Sequence, residues 1–166
     1  MFVTVVAVTF FVCFLLIVLR GAPYVPTRAQ DTEALFALHT FKPGELLVDL
    51  GSGDGRVLLA AARRGVRSVG YELNPLLAGL TWLRLRPFKS LASVRCRDFW
   101  FTPLPRDTTV VFVFLAGPFM HKLDRYLTRE AMRLDREITL ISYGMKVEGR
   151  SPQQEQGSFM VYGYKP

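Results

Sequence analysis

The chain of 166 residues has few of the side chains that build disulfide frameworks or metal sites, with two cysteines and two histidines. Cys13 lies in an apolar run and Cys96 in a predicted strand, so neither indicates a disulfide framework. His39 and His121 have no cysteine or histidine partner at the spacing of metal ligands. A zinc site is therefore not expected, and we predict that the chain holds no metal.

Charged residues are absent from residues 2–19, which are mostly valine, phenylalanine, leucine and threonine. At about 1.5 Å per residue, a helix of this length nearly spans the roughly 30 Å hydrocarbon core of a bilayer. We therefore expect a single transmembrane anchor at residues 1–20. The first positive charges follow it, at Arg20 and Arg28, so the rest of the chain is expected to face the cytoplasm. A signal peptide and a buried core helix are the alternatives.

The chain also lacks an RNA-binding signature, a zinc knuckle and a basic tail, although its formal net charge is +7. Nucleic-acid binding is one interpretation of such a charge, but without those motifs it is not expected. Anionic lipid headgroups are a second partner for the basic residues, and an acidic protein is a third. The charge alone does not choose among them.

Residues 46–75 contain the most informative pattern of the chain. An apolar run at residues 46–50 predicts a strand buried on both faces, and glycines follow at once. Residues 57–64, rich in leucine and alanine, predict a helix, and residues 68–71 predict a second strand that ends at Glu72. A strand, a glycine turn, a helix, a second strand and an acid in this order are typical of a nucleoside-binding βαβ half.

The glycine spacing distinguishes between two kinds of cofactor. A dinucleotide site has the pattern G-x-G-x-x-G, which from Gly51 would need a small residue where the chain has Arg56. The glycines instead lie at Gly51, Gly53 and Gly55, and Asp49 precedes them. This D-x-G-x-G-x-G pattern resembles motif I of the seven-strand methyltransferases that use S-adenosylmethionine (AdoMet). The resemblance implies an α/β fold with a Rossmann-like sheet of seven strands, mostly parallel with an antiparallel last strand, and AdoMet as the cofactor.

Carboxylates near the turn are consistent with that cofactor. AdoMet has no phosphate but carries a sulfonium cation and an ammonium group, which Asp49 and Asp54 would attract, whereas both would repel a phosphate. Glu72 follows Gly51 by about 20 residues, the spacing expected of an acid that accepts hydrogen bonds from ribose hydroxyls. We therefore predict that Asp49, Asp54 and Glu72 bind the cofactor together with the glycines.

A further acid is assigned to the cofactor by the same resemblance. Residues 93–96 predict a third strand, and Asp98 and Phe99 follow it. In the methyltransferase family an Asp at this place accepts a hydrogen bond from the adenine amino group, and an apolar neighbour packs on the ring. The resemblance therefore implies that Asp98 and Phe99 bind adenine, and an aromatic side chain suits its flat π face.

The remaining pattern alternates helices and strands, as expected for an α/β sheet. Residues 21–44 are expected to form a proline-containing linker and a short helix with Asp31 as its N-cap, and residues 45–166 to form one domain. The polar interval at 148–157 is short, which predicts a truncated closing hairpin and leaves substrate recognition open. Further helices are predicted at 75–86 and 119–134, and further strands at 110–115, 138–143 and 159–164.

The segment after the fourth predicted strand lacks the residues associated with methylation of amide or base nitrogens. Enzymes for those acceptors place an Asn- or Asp-Pro-Pro-aromatic loop there, whereas residues 114–119 read FLAGPF. Neither Asn nor Asp is present, which argues against methylation of a nucleic-acid base or of glutamine.

The chain is similar to a smaller family of protein-lysine methyltransferases, which includes archaeal enzymes and membrane-anchored mitochondrial enzymes that modify the adenine nucleotide translocator or the ATP synthase c-subunit. The resemblance implies that Tyr24 and Thr27 line the entrance beside AdoMet, Tyr24 with a catalytic role. Asn74 would assist Glu72 at the ribose. The implied substrate is a lysine of a membrane protein, with the N-terminal helix in the membrane. The matching segments are PYVPT at 23–27, VDLGSGDGR at 48–56, GYELNP at 70–75 and VFLAGPFMHKL at 113–123.

Aromatic residues are the candidates for the acceptor side. Tyr24, Phe119 and Tyr143 would line a narrow channel in which a lysine ammonium loses its proton. Ordinary core packing is an equal interpretation of Phe119 and Tyr143. The sequence leaves two other functions open, a membrane-associated methyltransferase with a small or lipidic acceptor and a non-catalytic AdoMet-binding module.

Overall fold

The computed structural model describes Thr4 and residues 29–166. Apart from Thr4, the predicted membrane anchor at residues 1–20 lies outside the described residues, as do the following linker residues Tyr24 and Thr27. In the part of the chain that is described, no helix has the length and apolar character needed to cross a bilayer.

Within residues 29–166, seven strands form one mixed sheet, and helices cover both of its faces. The strands are β1 (Leu46–Leu50), β2 (Arg67–Glu72), β3 (Ala92–Cys96), β4 (Thr108–Val113), β5 (Ile138–Tyr143), β6 (Gln154–Gln156) and β7 (Phe159–Tyr164). The helices are α1 (Ala29–Leu38), α2 (Arg56–Arg63), α3 (Pro75–Leu85) and α4 (Met120–Leu134). Short 3₁₀ turns lie at Arg86–Phe88, Phe99–Phe101 and Gly117–Phe119.

The strand order across the sheet is β3-β2-β1-β4-β5-β7-β6. Neighbouring strands from β3 to β5 are parallel, whereas β7 is antiparallel to both β5 and β6. The order reverses direction at β1, because β2 and β4 lie on either side of it. The predicted Rossmann-like sheet of seven strands with an antiparallel last strand is confirmed.

Two local features differ from the sequence prediction. Strand β6 (Gln154–Gln156) lies in the short polar interval where a truncated closing hairpin, but no strand, was predicted; its side chains are exposed and it pairs with β7 alone at the edge of the sheet. Helix α1 begins at Ala29, so Asp31 lies in its first turn and the prediction of Asp31 as the N-cap is wrong.

Alternate side chains of the strands build a core on each face of the sheet. Helix α4 covers one face, and α1 and α2 cover the other, where Leu35 of α1 is completely buried. The first core includes Val48, Val111, Leu140, Leu123 and Leu127. The second includes Leu47, Phe112, Ile141, Val57 and Ala61. This alternation follows from the period of two residues in a strand that is buried on both sides.

The carboxyl ends of the first three strands meet at one edge of the sheet. The register pairs Leu50 with Tyr71 and Glu72 with Cys96. Parallel sheets bind ligands in the crevice outside such strand ends, at the point where the strand order reverses. The turns that follow β1, β2 and β3 are therefore the expected position of a ligand-binding site.

Candidate functional site

The turn after β1 has a backbone that glycine adopts without strain. Gly51, Gly53 and Gly55 have φ angles of 89°, 55° and 79°, in the left-handed region. The backbone N–H groups of Gly51 and Ser52 donate to the carbonyl oxygen of Tyr71 at 2.9 and 3.0 Å, which joins the turn to β2. A Cβ atom built on Gly51 would meet no described atom within 4 Å, so this side of the turn is open to a ligand.

Helix α3 packs against this turn and fixes its shape. Thr81 is buried and donates a hydrogen bond of 2.8 Å from Oγ1 to the carbonyl oxygen of Gly53. A Cβ atom on Gly55 would lie 2.9 Å from Thr81 Oγ1 and still closer to its Cγ2, so the close approach requires glycine. The role of Thr81 is not predictable from the sequence, because nothing in the helix pattern indicates which residue faces the turn.

Glu72 joins the turns after β1 and β2. Its Oε2 accepts a hydrogen bond of 2.8 Å from the backbone N–H of Gly53, and its Oε1 accepts one of 2.7 Å from the backbone N–H of Asn74. The side chain is buried, but each carboxylate oxygen has a second lone pair. Glu72 therefore retains the capacity to accept hydrogen bonds from a diol, which is the role that its position in the sequence predicts.

Asp49 is a second buried carboxyl group, on the strand next to Glu72. Burial, and then the negative charge of Glu72, raises the pKa of Asp49 to about 8. The group is therefore mostly protonated at neutral pH. A cation placed beside it would favour its ionised form, because an opposite charge stabilises a carboxylate.

Asp54 has its carboxylate engaged by two arginines. Its Oδ2 accepts hydrogen bonds from Arg84 Nη1 at 2.7 Å and from Arg56 Nε at 3.0 Å, and Arg84 also donates to the Asp54 carbonyl oxygen at 2.9 Å. Burial by itself would raise the pKa of Asp54, but the two arginines outweigh it and hold this pKa below its usual range. Asp54 thus fastens α3 to the glycine turn, and its contact with a cofactor stays a prediction.

Asn74 orients Glu72 through its backbone and begins helix α3 with its side chain. Asn74 Oδ1 accepts hydrogen bonds from the backbone N–H groups of Leu76 at 2.9 Å and Leu77 at 3.4 Å, and Pro75 is the first helical residue. An Asn followed by a Pro is a typical helix start, so this signal was present in the sequence. The predicted assistance of Asn74 to Glu72 is a backbone contact here, because the side chain is occupied by capping.

Asp98 and Phe99 follow β3 at the same edge as Glu72. The backbone N–H of Arg97 donates to the Glu72 carbonyl oxygen at 3.0 Å and joins the two strand ends. Asp98 Oδ1 accepts a hydrogen bond of 3.0 Å from the backbone N–H of Trp100 and caps the 3₁₀ turn. The ring centroids of Phe99 and Trp100 are 4.4 Å apart. Asp98 and Phe99 are both partly exposed, so a ligand can reach them.

Two tyrosines hold the loop that continues from Asp98. Tyr71 donates from its hydroxyl to the carbonyl oxygen of Pro103 at 3.2 Å, and Tyr126 donates to that of Thr102 at 2.8 Å. These bonds tie the loop to β2 and α4. Neither role is predictable from the sequence, since both depend on which side chains the complete fold brings beneath the loop.

Phe119 and Tyr143, predicted to line one acceptor channel, belong to the cores on opposite faces of the sheet. Phe119 packs on the first core, with its ring centroid 6.4 Å from that of Trp100. Tyr143 packs on the second, with its centroid 4.8 Å from Phe114 and 4.9 Å from Phe159. The described ring contacts therefore do not join Phe119 and Tyr143 into one channel wall.

The edge of the sheet thus combines a glycine turn with the carboxyl groups of Asp49, Glu72 and Asp98. Such a set suits a ligand that offers hydroxyl and amino donors and positive charge, whereas a phosphate would meet the carboxylates of Glu72 and Asp98. Among the described residues, no group of three histidine, cysteine, aspartate or glutamate side chains is arranged to hold a metal ion. The geometry therefore favours the nucleoside cofactor that the glycine spacing predicts.

Known methyltransferases match the chain across this site. The family model of the ANTKMT methyltransferase domain matches residues 49–154. The chain is 43% identical over 111 residues to the adenine nucleotide translocase lysine N-methyltransferase of Mus musculus, a match that covers 65% of this chain and 48% of the relative. It is 35% identical over 112 residues to the ATP synthase C-subunit lysine N-methyltransferase of Homo sapiens, covering 65% of this chain and 46% of the relative. The chain therefore spans about half the length of these two relatives.

An archaeal relative and a solved structure extend the comparison. The chain is 25% identical over 136 residues to a protein-lysine N-methyltransferase of Saccharolobus islandicus (strain REY15A), covering 80% of this chain and 82% of the relative. The crystal structure of an RNA methyltransferase from Salinibacter ruber in complex with S-adenosyl-L-homocysteine superposes with a TM-score of 0.73 at 25% identity, covering 84% of this chain and 92% of that one. The family match includes the glycine turn, Glu72 and Asp98. The chain belongs to the ANTKMT methyltransferase domain family.

Proposed function

We propose that this chain is an AdoMet-dependent protein-lysine N-methyltransferase that acts at or near a membrane. The observation that carries the proposal is the 43% identity over 111 residues to a translocase lysine N-methyltransferase. The names of the translocase and ATP synthase relatives support a protein lysine as the acceptor. The lack of Asn and Asp in residues 114–119 supports the same choice over a nucleic-acid base.

The cofactor of this proposal is AdoMet, and the described residues suit it. Glu72 would accept hydrogen bonds from the ribose hydroxyls, and Asp98 would accept one from the adenine amino group beside the ring of Phe99. Asp49 would lie near a positively charged end of the cofactor, which favours its ionised form. The bound cofactor would supply a methyl group on a sulfonium, which an aligned nucleophile takes by in-line displacement.

The acceptor of this proposal is a lysine amine without its extra proton. The nitrogen would bond to the methyl carbon as the carbon–sulfur bond breaks, so the positive charge would pass from sulfur to the methylated nitrogen. The protein would promote the reaction by keeping water away from the lysine, since desolvation lowers the pKa of an ammonium group. The partly buried rings of Phe114 and Tyr143 at the ends of β4 and β5 support such an apolar environment. Tyr24 and Thr27 are proposed to line its entrance.

Transfer of a labelled methyl group from AdoMet by the full chain tests the function. Membrane proteins, RNA and extracted lipid are offered separately, and mass spectrometry locates the label. Label on protein lysines supports the proposal, whereas label in RNA or lipid alone overturns the acceptor class. AdoMet binding without turnover on any acceptor would identify a binding module.

A matched pair of variants separates the site from general folding effects. Gly53→Val puts a side chain into the turn at a φ of 55° and should abolish transfer. Gly157→Val introduces the same side chain at a φ of 58° in the hairpin between β6 and β7, away from the turn, and should retain activity. Equal activity of both variants would contradict the site.

The proposal includes a membrane setting with the domain on the cytoplasmic side. The uncharged run at residues 2–19, followed by Arg20 and Arg28, supports a single membrane-spanning segment in that orientation. Protease treatment of sealed membrane vesicles of known sidedness tests the orientation. The domain should be digested where the cytoplasmic face is outside, and a protected domain would contradict the assignment.

A further inference from the structure

Helix α3 exposes side chains that a helix of a globular domain normally buries. Leu76, Leu80 and Leu83 follow one another at spacings of four and three residues, which places them on one face of the helix. Their exposed fractions are 63%, 39% and 55%. The inward side of the helix consists of Ala78, Thr81 and Leu85, all buried. The outward face of α3 is therefore apolar, and scattered single leucines do not produce such a stripe.

Trp82 lies on the flank of α3 that faces the edge strand β3. Its side chain is 60% exposed, and the guanidinium carbon of Arg86 lies 5.4 Å from its ring centroid. Trp82, Arg86 and Lys89 line a groove of about 460 Å³ beside the edge strand β3. Helix α3 thus exposes an apolar stripe on its outward face, and a tryptophan with two basic residues on its flank beside β3. We refer to Leu76, Leu80, Trp82 and Leu83 as the α3 surface.

The segment that contains α3 and β3 carries charge of a single sign. Residues 73–97 contain no Asp or Glu, but they contain the basic residues Arg84, Arg86, Lys89, Arg95 and Arg97. Arg84 is paired with Asp54. Within residues 29–166, Arg86, Lys89 and Arg97 form no ion pair, so their charge is available to an external partner. Arg95 instead donates to the Tyr71 hydroxyl at 3.3 Å, and Tyr71 belongs to the core on the other face of the sheet.

We propose that the α3 surface docks on the anionic surface of a lipid bilayer. The leucines would enter the boundary between headgroups and acyl chains, as the apolar face of an interfacial helix does. Trp82 suits the same depth, because an indole ring is apolar with one polar edge, and Arg86 and Lys89 would remain among the phosphates. A nucleic acid offers the complementary charge but no apolar partner for the leucines. An anionic lipid surface fits both properties of the α3 surface, its apolar side chains and its unpaired basic neighbours.

The docking would hold the site close to the membrane independently of any anchor at the N-terminus. Helix α3 begins at Pro75, directly after Asn74, whose backbone N–H is bonded to Glu72. Leu76 is therefore two residues from the turn after β2. The inference concerns lipid contact alone and is tested without cofactor or acceptor, so its outcome is separate from that of the proposed methyl transfer.

Quenching of tryptophan fluorescence by brominated lipid tests the inference on the full chain reconstituted in vesicles. The chain has two tryptophans, of which Trp100 is buried and Trp82 is 60% exposed. The Trp82→Phe variant supplies the signal of Trp100 for subtraction. Brominated phosphatidylcholine should quench Trp82 in vesicles that also contain phosphatidylserine, and much less in phosphatidylcholine alone. Absent quenching, or equal quenching in both vesicles, overturns the proposal.

Surface variants show which side chains hold the contact. Arg86→Gln with Lys89→Gln should lower the ratio of docked to undocked domain about fivefold per residue in phosphatidylserine vesicles. Leu76→Ser with Leu83→Ser should abolish quenching of Trp82. Met132→Ser is the matched control, because Met132 on α4 is 63% exposed, as is Leu76, and should leave quenching unchanged.

Circular dichroism establishes that each variant is folded, and undiminished quenching in the leucine pair overturns the proposal. Occupation of the α3 surface by a second copy is a distinct outcome. Protection of Trp82 from acrylamide that rises with protein concentration in the absence of lipid would reveal it, and would also overturn the lipid assignment.

Discussion

The Glu72 carboxylate accepts a hydrogen bond of 2.8 Å from the backbone N–H of Gly53, and this bond joins the end of β2 to the glycine turn after β1. Its other oxygen accepts from the backbone N–H of Asn74 at 2.7 Å. One side chain therefore sets the relative position of two turns at the crevice edge of the sheet. Because Glu72 both supports these turns and is proposed to bind the ribose, measurements of stability and of cofactor affinity are needed together.

Glu72→Gln should weaken AdoMet binding by about 1.5–3 kcal/mol, the range for a hydrogen bond that involves a charged group. The amide nitrogen of Gln must face the N–H donor of either Gly53 or Asn74, so one existing bond is also lost. Isothermal titration calorimetry, well below the unfolding temperature, measures the affinity of the folded protein. Glu155→Gln removes an exposed carboxylate on β6 that pairs with Lys146, and its affinity should be unchanged. Unchanged affinity of Glu72→Gln would contradict the ribose assignment.

Gly55→Ala should destabilise the domain through two separable effects. The φ of 79° is unfavourable for alanine by about 1–2 kcal/mol. The added Cβ would also collide with Thr81, whose Oγ1 would be 2.9 Å away. Midpoints of denaturant unfolding should therefore fall by more than backbone strain alone explains.

Two further variants separate the backbone strain at Gly55 from the collision with Thr81. Gly65→Ala has a similar φ of 75° and no described atom within 4 Å of the added Cβ, so it reports backbone strain alone. Thr81→Ser removes the Cγ2 but keeps the hydroxyl that binds Gly53. The double variant Gly55→Ala with Thr81→Ser should recover part of the stability, and the absence of any recovery would show that the collision is not the cause.

The sequence was sufficient for the elements whose patterns are local. The apolar run of β1, the glycines and the acid at the end of β2 are read from neighbouring residues, and β5 and β7 agree with their predicted bounds at Ile138–Tyr143 and Phe159–Tyr164. These strands are recognisable because burial on both faces leaves long runs of apolar side chains. The positive φ angles of the turn are also predictable from neighbouring residues, because glycine adopts the left-handed region without strain and the motif has glycine at Gly51, Gly53 and Gly55.

Contacts between distant parts of the chain were not predictable in this way. The roles of Thr81 and Arg84 depend on the rotation of α3 about its axis once it packs on the turn, which the helix pattern does not specify. Strand β6 has the exposed sequence Gln-Glu-Gln and owes its conformation to pairing with β7 rather than to its own side chains. The separation of Phe119 and Tyr143 by the sheet is likewise a property of the assembled layers.

The raised pKa of Asp49, about 8, makes the stability of the domain fall as the pH rises. Below the ordinary value of 3.8 the group is protonated whether the chain is folded or not. Between 3.8 and about 8 the unfolded chain releases the proton while the folded chain retains it, so unfolding becomes more favourable. Asp49→Asn should remove this loss of stability. The loss is at most about 4 kcal/mol at pH 7, since one pKa unit corresponds to about 1.4 kcal/mol. In thermal unfolding, the difference in stability between Asp49→Asn and the native chain should grow with pH. A difference that stays constant would contradict the raised pKa.

Variants of Asp54 and Arg84 test whether the Asp54 carboxylate binds the cofactor or only fastens α3 to the glycine turn. Its lowered pKa contributes stability above the ordinary value of 3.8 that is lost as the pH falls through the folded-state pKa. Asp54→Asn should therefore cost about 0.2–1 kcal/mol at pH 7, because both arginine partners are partly exposed, and the cost should shrink below pH 4. If Asp54 acts only by fastening α3, Asp54→Asn will weaken AdoMet binding no more than Arg84→Met in calorimetry, because Arg84→Met also removes the hydrogen bond to the Asp54 carbonyl oxygen. A much larger loss for Asp54→Asn would instead establish the direct contact that the glycine motif predicts.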